Sequence, residues 1–460
     1  MDTRAYQRSR LTRDPRFDGR FFMGVVSTGI YCRPICPAAP SPKEKNIRYF
    51  PSAAAAAEAG FRPCLRCRPE ASPGTPAWLG ASATVSRALK LIGESALDDA
   101  GVDDLADRLG IGSRHLRRLF LRYLGATPVA VAQTRRVHFA KKLIDETHLP
   151  MTQIALAAGF GSIRRFNATF QKLYGRTPRE LRGSNPQNGH EPGVYTFRLG
   201  YRPPYDWDSL AAFLATRAIP GVETVTPEEY RRTIFVDGRP GVIAVRPAQK
   251  NSLELRIQYA NPAPLVRIVE RVRKIFDLGA DPSEVAAHLR RDTRLKPIVR
   301  AYPGLRVPGC WDGFELSVRA ILGQQVSVKG ASTLAGRVAA LYGSPLNGDF
   351  LFPAPEILAE ADLAPVGLPR KRADSIRALA AAVANGKIPF DGSFPPEDFE
   401  RTLTEIPGIG PWTAQYIAMR LGEPDAFPAG DLYLRPVARE SEAWRPWRAY
   451  AAMYFWRNCS

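Results

Sequence analysis

Two close cysteine pairs carry the strongest chemical signal in this sequence. Cys32 and Cys36 stand in Tyr31-Cys32-Arg33-Pro34-Ile35-Cys36-Pro37, and Cys64 and Cys67 in Arg62-Pro63-Cys64-Leu65-Arg66-Cys67-Arg68-Pro69. Two such pairs, about thirty residues apart, suit a single tetrahedral Zn2+. Spacing alone favours a zinc knuckle that only holds its loop together. Arg33, Arg62, Arg66 and Arg68 crowd the sulfurs with positive charge, as expected of a site that docks against phosphate. A second signal lies far away in the chain. Pro407-Gly408-Ile409-Gly410-Pro411 reads as a hairpin whose backbone N–H groups approach a DNA phosphate, with Pro411 in the first turn of the next helix. Asp431 follows about twenty residues on, after Pro428-Ala429-Gly430, where an isolated aspartate otherwise reads as a helix cap.

The words around the cysteines narrow the choice. Val26-Ser27-Thr28-Gly29-Ile30-Tyr31-Cys32-Arg33-Pro34 and Ala59-Gly60-Phe61-Arg62-Pro63-Cys64 closely resemble the zinc domain of the Ada family, which takes methyl groups from DNA methylphosphotriesters. The resemblance implies that Cys32 is both zinc ligand and methyl acceptor, with Cys36, Cys64 and Cys67 completing the shell. The chemistry is coherent. A free thiol is mostly protonated at neutral pH, and zinc keeps it a thiolate. Attack on the methyl carbon of a neutral triester requires such a soft, unprotonated nucleophile. One Zn2+ and four thiolates carry a formal charge of −2, and methylation of Cys32 leaves −1. Lower repulsion from DNA phosphates then raises DNA affinity. The transfer is stoichiometric, so this part senses damage rather than turning over.

Charge and repeats place the elements that position these groups. The chain has 460 residues and a net charge of +19. Residues 1–75 contribute +7, residues 76–186 contribute +8 and the remainder only +4, so the first 186 residues read as a polyanion-binding surface. No apolar run is long enough to span a membrane and the N-terminus lacks a signal-peptide core, which points to a cytoplasmic protein. Cysteine usage fits a reducing compartment, with Cys310 and Cys459 as plain thiols.

Ser72-Pro73-Gly74-Thr75-Pro76 and the polar stretch 183–193 read as linkers. Between them, two similar units each close with a Gly-x-Thr-Pro corner, at Gly125-Ala126-Thr127-Pro128 and Gly175-Arg176-Thr177-Pro178. Leu105, Leu109, Leu116, Leu119 and Phe120 repeat at helical spacing, and Ser113 is placed to cap the helix after Gly110-Ile111-Gly112. This pair of helix-turn-helix units resembles the AraC/XylS family over about 82–183. The candidate DNA contacts are Ser113, Arg114, Arg117 and Arg118 in the first unit, and Ser162, Arg164, Arg165 and Asn167 in the second.

Residues 193–460 resemble the AlkA family of 3-methyladenine DNA glycosylases. The resemblance rests on stretches such as Arg202-Pro203-Pro204-Tyr205-Asp206-Trp207, Val307-Pro308-Gly309-Cys310-Trp311-Asp312 and Arg319-Ala320-Ile321-Leu322-Gly323-Gln324-Gln325. It implies that Asp431 is the catalytic carboxylate and that Phe213, Trp412, Tyr416 and Trp456 form the base pocket. Gln324, Gln325, Gly408, Ile409 and Gly410 join Arg33 and the helix-turn-helix residues as DNA contacts. Trp412 stands where base-lyase relatives carry a Schiff-base lysine, which implies a monofunctional glycosylase. Three departures from the family stand out. Gln325 replaces a leucine wedge, Leu432 replaces a tyrosine, and only 25 positions separate Asp431 from Trp456, so that a helix between Arg435 and Trp444 is shortened.

The expected architecture is multidomain α+β. It comprises a small α/β zinc domain (1–75), an all-α double helix-turn-helix domain (76–186), an α+β subdomain (187–300) and a mainly α helix-hairpin-helix domain (301–460). The expected function is excision of alkylated bases from double-stranded DNA, joined to a methylation-switched transcription activator that works as a monomer with RNA polymerase as partner. Two other readings stay open in the sequence: a regulator whose glycosylase half only binds DNA, and a glycosylase whose N-terminal modules only localise it.

Overall fold

A computed structural model describes residues 3–38, 42–73, 83–98, 100–182 and 191–459. The expected domain boundaries at 75/76 and 186/187, and most of both linkers, lie outside the described residues. The chain divides into two compact units: Met1–Pro203 with Ala248–Glu270 and Leu278–Ala280, and Pro204–Pro247 with Arg271–Asp277 and Asp281–Ser460. The division runs through the segment expected as subdomain 187–300.

In the first unit, a four-stranded sheet carries the cysteines. Its order is Ile47–Phe50, Phe22–Val25, Ile30–Cys32, Arg62–Pro63, with the last pair parallel. Met23 lies opposite Cys32. One face packs Phe22, Tyr31, Phe50 and Phe61 against the alanine-rich helix Ala53–Glu58. The other face packs Phe21 and Met23 against Cys32, Cys64 and Cys67. Alternation along the strands separates an apolar core from a sulfur-bearing one.

The helix-turn-helix segment follows within the same unit. Helices Val102–Arg108 and Ser113–Leu124 form its first pair, and Met151–Ala157 and Ile163–Tyr174 its second, with the long helix Pro128–Glu146 between them. Both Gly-x-Thr-Pro corners do the same work. Gly125 and Gly175 end their helices at φ of 65° and 66°, which only glycine adopts cheaply. Thr127 Oγ1 then accepts from Ala130 N–H at 3.2 Å, and Thr177 Oγ1 from Glu180 N–H at 3.3 Å, to start the next helix. Ser162 caps its helix through Arg165 N–H as its residue type suggests. Ser113 does not. Gly112 takes the extended N-cap conformation and moves the helix start, placing Ser113 inside the first turn. The strands Val194–Gly200 and Ser252–Gln258 complete this unit as an antiparallel pair.

The second unit combines a meander of three strands, Glu223–Val225, Tyr230–Val236 and Arg239–Ala248, with a set of helices. Its interior holds a charge cluster invisible in the sequence. Arg232 donates to Glu315 at 2.6 Å, and Arg319 reaches Glu223 at 3.1 Å and Glu315 at 3.2 Å. Glu223, Arg232 and Glu315 are almost wholly buried and Arg319 is half-buried, so each charge needs its partners. No helix among the described residues is long and apolar enough to cross a membrane.

Candidate metal centre and candidate active site

The Sγ atoms of Cys32, Cys36, Cys64 and Cys67 all lie within 4.8 Å of one another. Zn–S bonds of about 2.3 Å require tetrahedral sulfurs about 3.8 Å apart, so this cluster has the size of a zinc site. Cys32, Cys64 and Cys67 are buried, while Cys36 is half-buried. Hydrogen bonding among the sulfurs pushes the Cys32 and Cys67 thiols up. Four thiolates this close repel one another unless a cation lies among them, and four sulfurs at this spacing are the donor set of a tetrahedral zinc. Arg33 N–H donates to Cys67 Sγ at 3.3 Å.

The arginines divide. Arg62 and Arg66 are exposed. Arg33, expected to contact DNA, turns inward: its guanidinium clasps Asp18 and donates to Cys67 O at 2.9 Å. A charge-assisted fork neutralised by a buried carboxylate is not offered to phosphate. Arg68 reaches Glu70 at 3.0 Å and, on the long helix Pro128–Glu146, Asp145 at 2.8 Å. Tyr31, beside Cys32, shares a 2.8 Å hydrogen bond with His138 of the same helix. Burial pushes His138 down to about 4, so this is a neutral pair. Both cysteine-bearing segments are thus tied to the helix that joins the two helix-turn-helix pairs. Arg114, Arg117, Arg118, Arg164, Arg165 and Asn167 are exposed on their helices.

In the second unit, Asp431 sits just after Pro428-Ala429-Gly430, and its N–H bonds Pro428 O. Its Oδ1 accepts from Tyr433 N–H and from Trp456 Nε1, each at 3.0 Å, and no described residue donates to Oδ2. Trp456 meets the Tyr416 ring at 6.3 Å. Tyr416 stacks on Trp412 with centroids 5.7 Å apart and planes 9° apart. Phe213 joins through a shared neighbour: Arg420 lies 5.0 Å from its ring and 5.8 Å from that of Tyr416. The four aromatics and the aspartate expected to act together are therefore linked through direct contacts or this one guanidinium.

Residues 5–70 match the metal binding domain of Ada, and 105–184 a helix-turn-helix domain. Residues 196–312 match the AlkA N-terminal domain, and 318–456 the HhH-GPD superfamily of base excision DNA repair proteins. A probable bifunctional transcriptional activator/DNA repair enzyme AlkA of Mycobacterium tuberculosis is 40% identical over 468 residues, which cover 97% of this chain and 94% of that one. The chain belongs to this AlkA-type bifunctional family. Escherichia coli DNA-3-methyladenine glycosylase 2 is 37% identical over 278 residues, 56% of this chain and 96% of its own. The structure of 3-methyladenine DNA-glycosylase from Archaeoglobus fulgidus shares the fold, with a TM-score of 0.50 at 22% identity, covering 56% of this chain and 96% of that one. The four cysteines are accordingly the zinc site of an Ada-type domain.

The segment between Asp431 and Trp456, expected to be short, is ordered in this AlkA-type chain. Arg435–Trp444 forms a ten-residue 3-10 helix, whose larger rise spans more length per residue than an α-helix. Trp444 pins it, fully buried against Phe427 and Phe455 and donating to Asp292 Oδ2 at 2.9 Å. The helix Arg448–Cys459 then returns Trp456 to Asp431. Leu432, where the resemblance leads one to expect a tyrosine, is 76% exposed and so stands outside the aromatic stack.

The hairpin is braced from two sides. Gln324 Nε2 donates to Gly408 O at 2.9 Å and to Thr413 Oγ1 at 3.2 Å, and Arg372 donates to Gln324 O at 2.6 Å. Gln325 is exposed at φ of 56°, displayed at the tip of its turn. Ile409 departs from expectation as a DNA contact. Its side chain is 3% exposed and its N–H already bonds Ile406 O, so it anchors the hairpin from inside. Arg370 and Lys371 are exposed beside Arg372, a basic run after Pro369 that belongs to none of the motifs above. Gly408 takes φ of 88°, and a Cβ there would lie 2.2 Å from Ser375 Oγ. Gly408→Ala is therefore expected to lower the unfolding free energy by about 2 kcal/mol, measured by urea denaturation followed through tryptophan fluorescence.

Proposed function

We propose that the C-terminal half hydrolyses the N-glycosidic bond of alkylated purines in double-stranded DNA, with Asp431 as its catalytic carboxylate. We propose further that the zinc domain transfers a methyl group from a DNA phosphotriester to Cys32 and so tunes DNA binding by the helix-turn-helix pairs. The observation that carries the first reading is the oriented carboxylate. Oδ1 is fixed by Trp456 and Tyr433, while Oδ2 takes no donor among the described residues, and Trp456 itself meets Tyr416 of the aromatic stack.

The residues divide the work. A base taken out of the duplex stacks on Trp412 and Tyr416. Gln325 enters the space it leaves, and the hairpin at Gly408 and Gly410 holds the neighbouring phosphate. N3- or N7-alkylation makes the purine cationic and a good leaving group. As the C1′–N bond breaks, both electrons go to the base and positive charge grows on the sugar. The Asp431 carboxylate stabilises that charge, most strongly where water is excluded. Water adds at C1′ from the exposed side.

In the zinc domain, Cys32, Cys36, Cys64 and Cys67 would hold the metal, which when bound maintains the sulfurs as thiolates. Cys32 Sγ then attacks the methyl carbon while the phosphate oxygen leaves with the C–O bonding pair. Tyr31–His138 and Arg68–Asp145 connect this event to the helix between the two DNA-binding pairs. The protein works as a monomer, and transcription activation takes RNA polymerase as partner.

Wild-type protein should release free 3-methyladenine from methylated duplex and leave the strand uncut. Trp412 offers no amine, so borohydride should trap no protein–DNA adduct. Strand cleavage or a trapped adduct would replace simple hydrolysis with a lyase mechanism. Release of no base would leave the C-terminal half as a DNA-binding module.

A further inference from the structure

A second carboxylate is bonded to the helix that carries Trp456, and the chemistry above leaves it unused. Asp277 lies two residues past the helix that ends at Ile275. Its Oδ2 accepts from Tyr450 Oη at 2.7 Å and from Val307 N–H at 3.3 Å. Tyr450 is 4% exposed and lies in the first turn of the helix Arg448–Cys459, whose Trp456 donates to Asp431. Tyr450 and Trp456 are six residues apart on one helix, about 9 Å along its axis. The same helix is tied at Arg448 to Asp425 and at Arg457 to Ser209. Asp277 takes φ of 48°, a costly conformation for a residue with a Cβ, so its place is held by its contacts.

The surroundings let this carboxyl change charge near neutral pH. Burial pushes it up to about 6, against the lowering effects of Arg306, Tyr450 and Val307 N–H. Arg306, the neighbouring cation, lies 4.8 Å from the Tyr205 ring and donates to Pro204 O at 3.0 Å. Tyr205 Oη in turn donates to Phe276 O at 2.8 Å. On the helix, burial raises both Tyr450 and Tyr454, so the two phenols stay neutral where Asp277 titrates. We propose that Asp277 is a positioning residue for base release: ionised, it grips Tyr450 and so holds Trp456 against Asp431, and its protonation slackens that grip. This rests on the glycosylase reading above.

A phenol that donates to a carboxylate makes a charge-assisted bond, roughly twice as strong as the same bond to a neutral carboxyl. Protonated Asp277 keeps its partners but holds the helix less firmly. A small slide of that helix loosens the 3.0 Å bond from Trp456 Nε1 to Asp431 Oδ1, which orients the reacting carboxylate. A misplacement of about 1 Å costs about a hundredfold in rate, so a loosened tie is expected to cost about fivefold. Stability moves the other way. The folded-state value of Asp277 lies above the ordinary carboxylate value, so its protonated form stabilises the fold, and that contribution is lost as pH rises through about 6. Acid therefore slows base release through this group without loosening the fold through it. A carboxylate kept for structure alone would lower rate, binding and stability together.

The test follows single-turnover release of 3-methyladenine from methylated duplex, from about pH 5.5 to about pH 8, for wild type, Asp277→Asn and Tyr450→Phe. Wild type and variant meet the same substrate, so any titration of the lesion cancels in the ratio of their rates. Asparagine copies the protonated carboxyl in shape and charge. The ratio of wild type to Asp277→Asn is expected to be about five at the alkaline end and about one at the acid end, turning near pH 6. Tyr450→Phe should show the same fall, to within about twofold of one. Duplex binding should be unchanged in both variants, and Asp277→Asn should melt no lower than wild type at the alkaline end. Tyr450→Phe, which keeps the carboxylate, gives the same readout if Asp277→Asn is too unstable to assay. A ratio that stays constant across the range, or binding that weakens in step with release, makes Asp277 a structural residue and overturns the proposal. A constant ratio for Tyr450→Phe alone overturns the route through Tyr450. Wild type that releases no base at any pH overturns the glycosylase reading beneath it instead.

Discussion

Asp431→Asn should reduce release of 3-methyladenine from methylated duplex by about a thousandfold, with folding and DNA binding unchanged. The size follows from what the substitution removes. Asparagine keeps an oxygen for Trp456 Nε1 and Tyr433 N–H, the two donors that orient the side chain. It keeps the turn after Pro428 as well, since that turn is closed by the backbone. Only the negative charge is lost, and with it the group that opposes the positive charge growing on the sugar. Nothing on the neighbouring rings replaces it, because the charged side chains against them, Arg217 and Arg420, are cationic. The measurement is single-turnover base release, with duplex binding followed in parallel. Equal rates in variant and wild type would move catalysis away from Asp431. Weaker binding together with slower release would make Asp431 a structural residue instead.

The parts of this site that were legible in the sequence are those carried by short spacing. The two cysteine pairs, the two Gly-x-Thr-Pro corners and the hairpin at Gly408 each fit within a few residues, so their backbone demands can be read directly. What stayed hidden depends on pairings across long stretches of chain. Arg33 looks like a phosphate contact until the fold brings Asp18 against it. Ile409 looks like part of a phosphate-binding loop until its own side chain is seen filling the core. The cluster of Glu223, Arg232, Glu315 and Arg319 spans nearly a hundred positions, and nothing local marks its members as buried. Arg217 and Arg420 are hidden in the same way, since a helical arginine normally reads as solvated. The 25-residue spacing from Asp431 to Trp456 can be counted in the sequence. The 3-10 helix that fills it was not legible, because it is pinned by the distant Asp292.

Cys32→Ala should abolish methyl uptake from methylated DNA while making DNA binding independent of damage. The first half follows from chemistry: alanine has no nucleophile, and the remaining sulfurs face different surroundings. Cys36 is the more exposed sulfur, so Cys36→Ala is the informative control. It should retain some methyl uptake if Cys32 is the acceptor, and lose it if exposure alone selects the reacting thiolate. The second half follows from charge. With zinc in place, losing the Cys32 thiolate takes the site from −2 to −1, the same change as methylation. The variant should therefore bind duplex as tightly as the methylated wild type at equal salt. It should also keep the hydrogen bond between Tyr31 and His138, which does not involve the sulfur. Intact-protein mass spectrometry after exposure to methylated duplex reads the first outcome, and a salt titration of DNA binding reads the second. A methyl group found on the variant would assign the acceptor to another cysteine. Binding that stays at the level of unmethylated wild type would mean that the methyl group acts through shape, by moving the strand that carries Tyr31 against the helix Pro128–Glu146, rather than through charge.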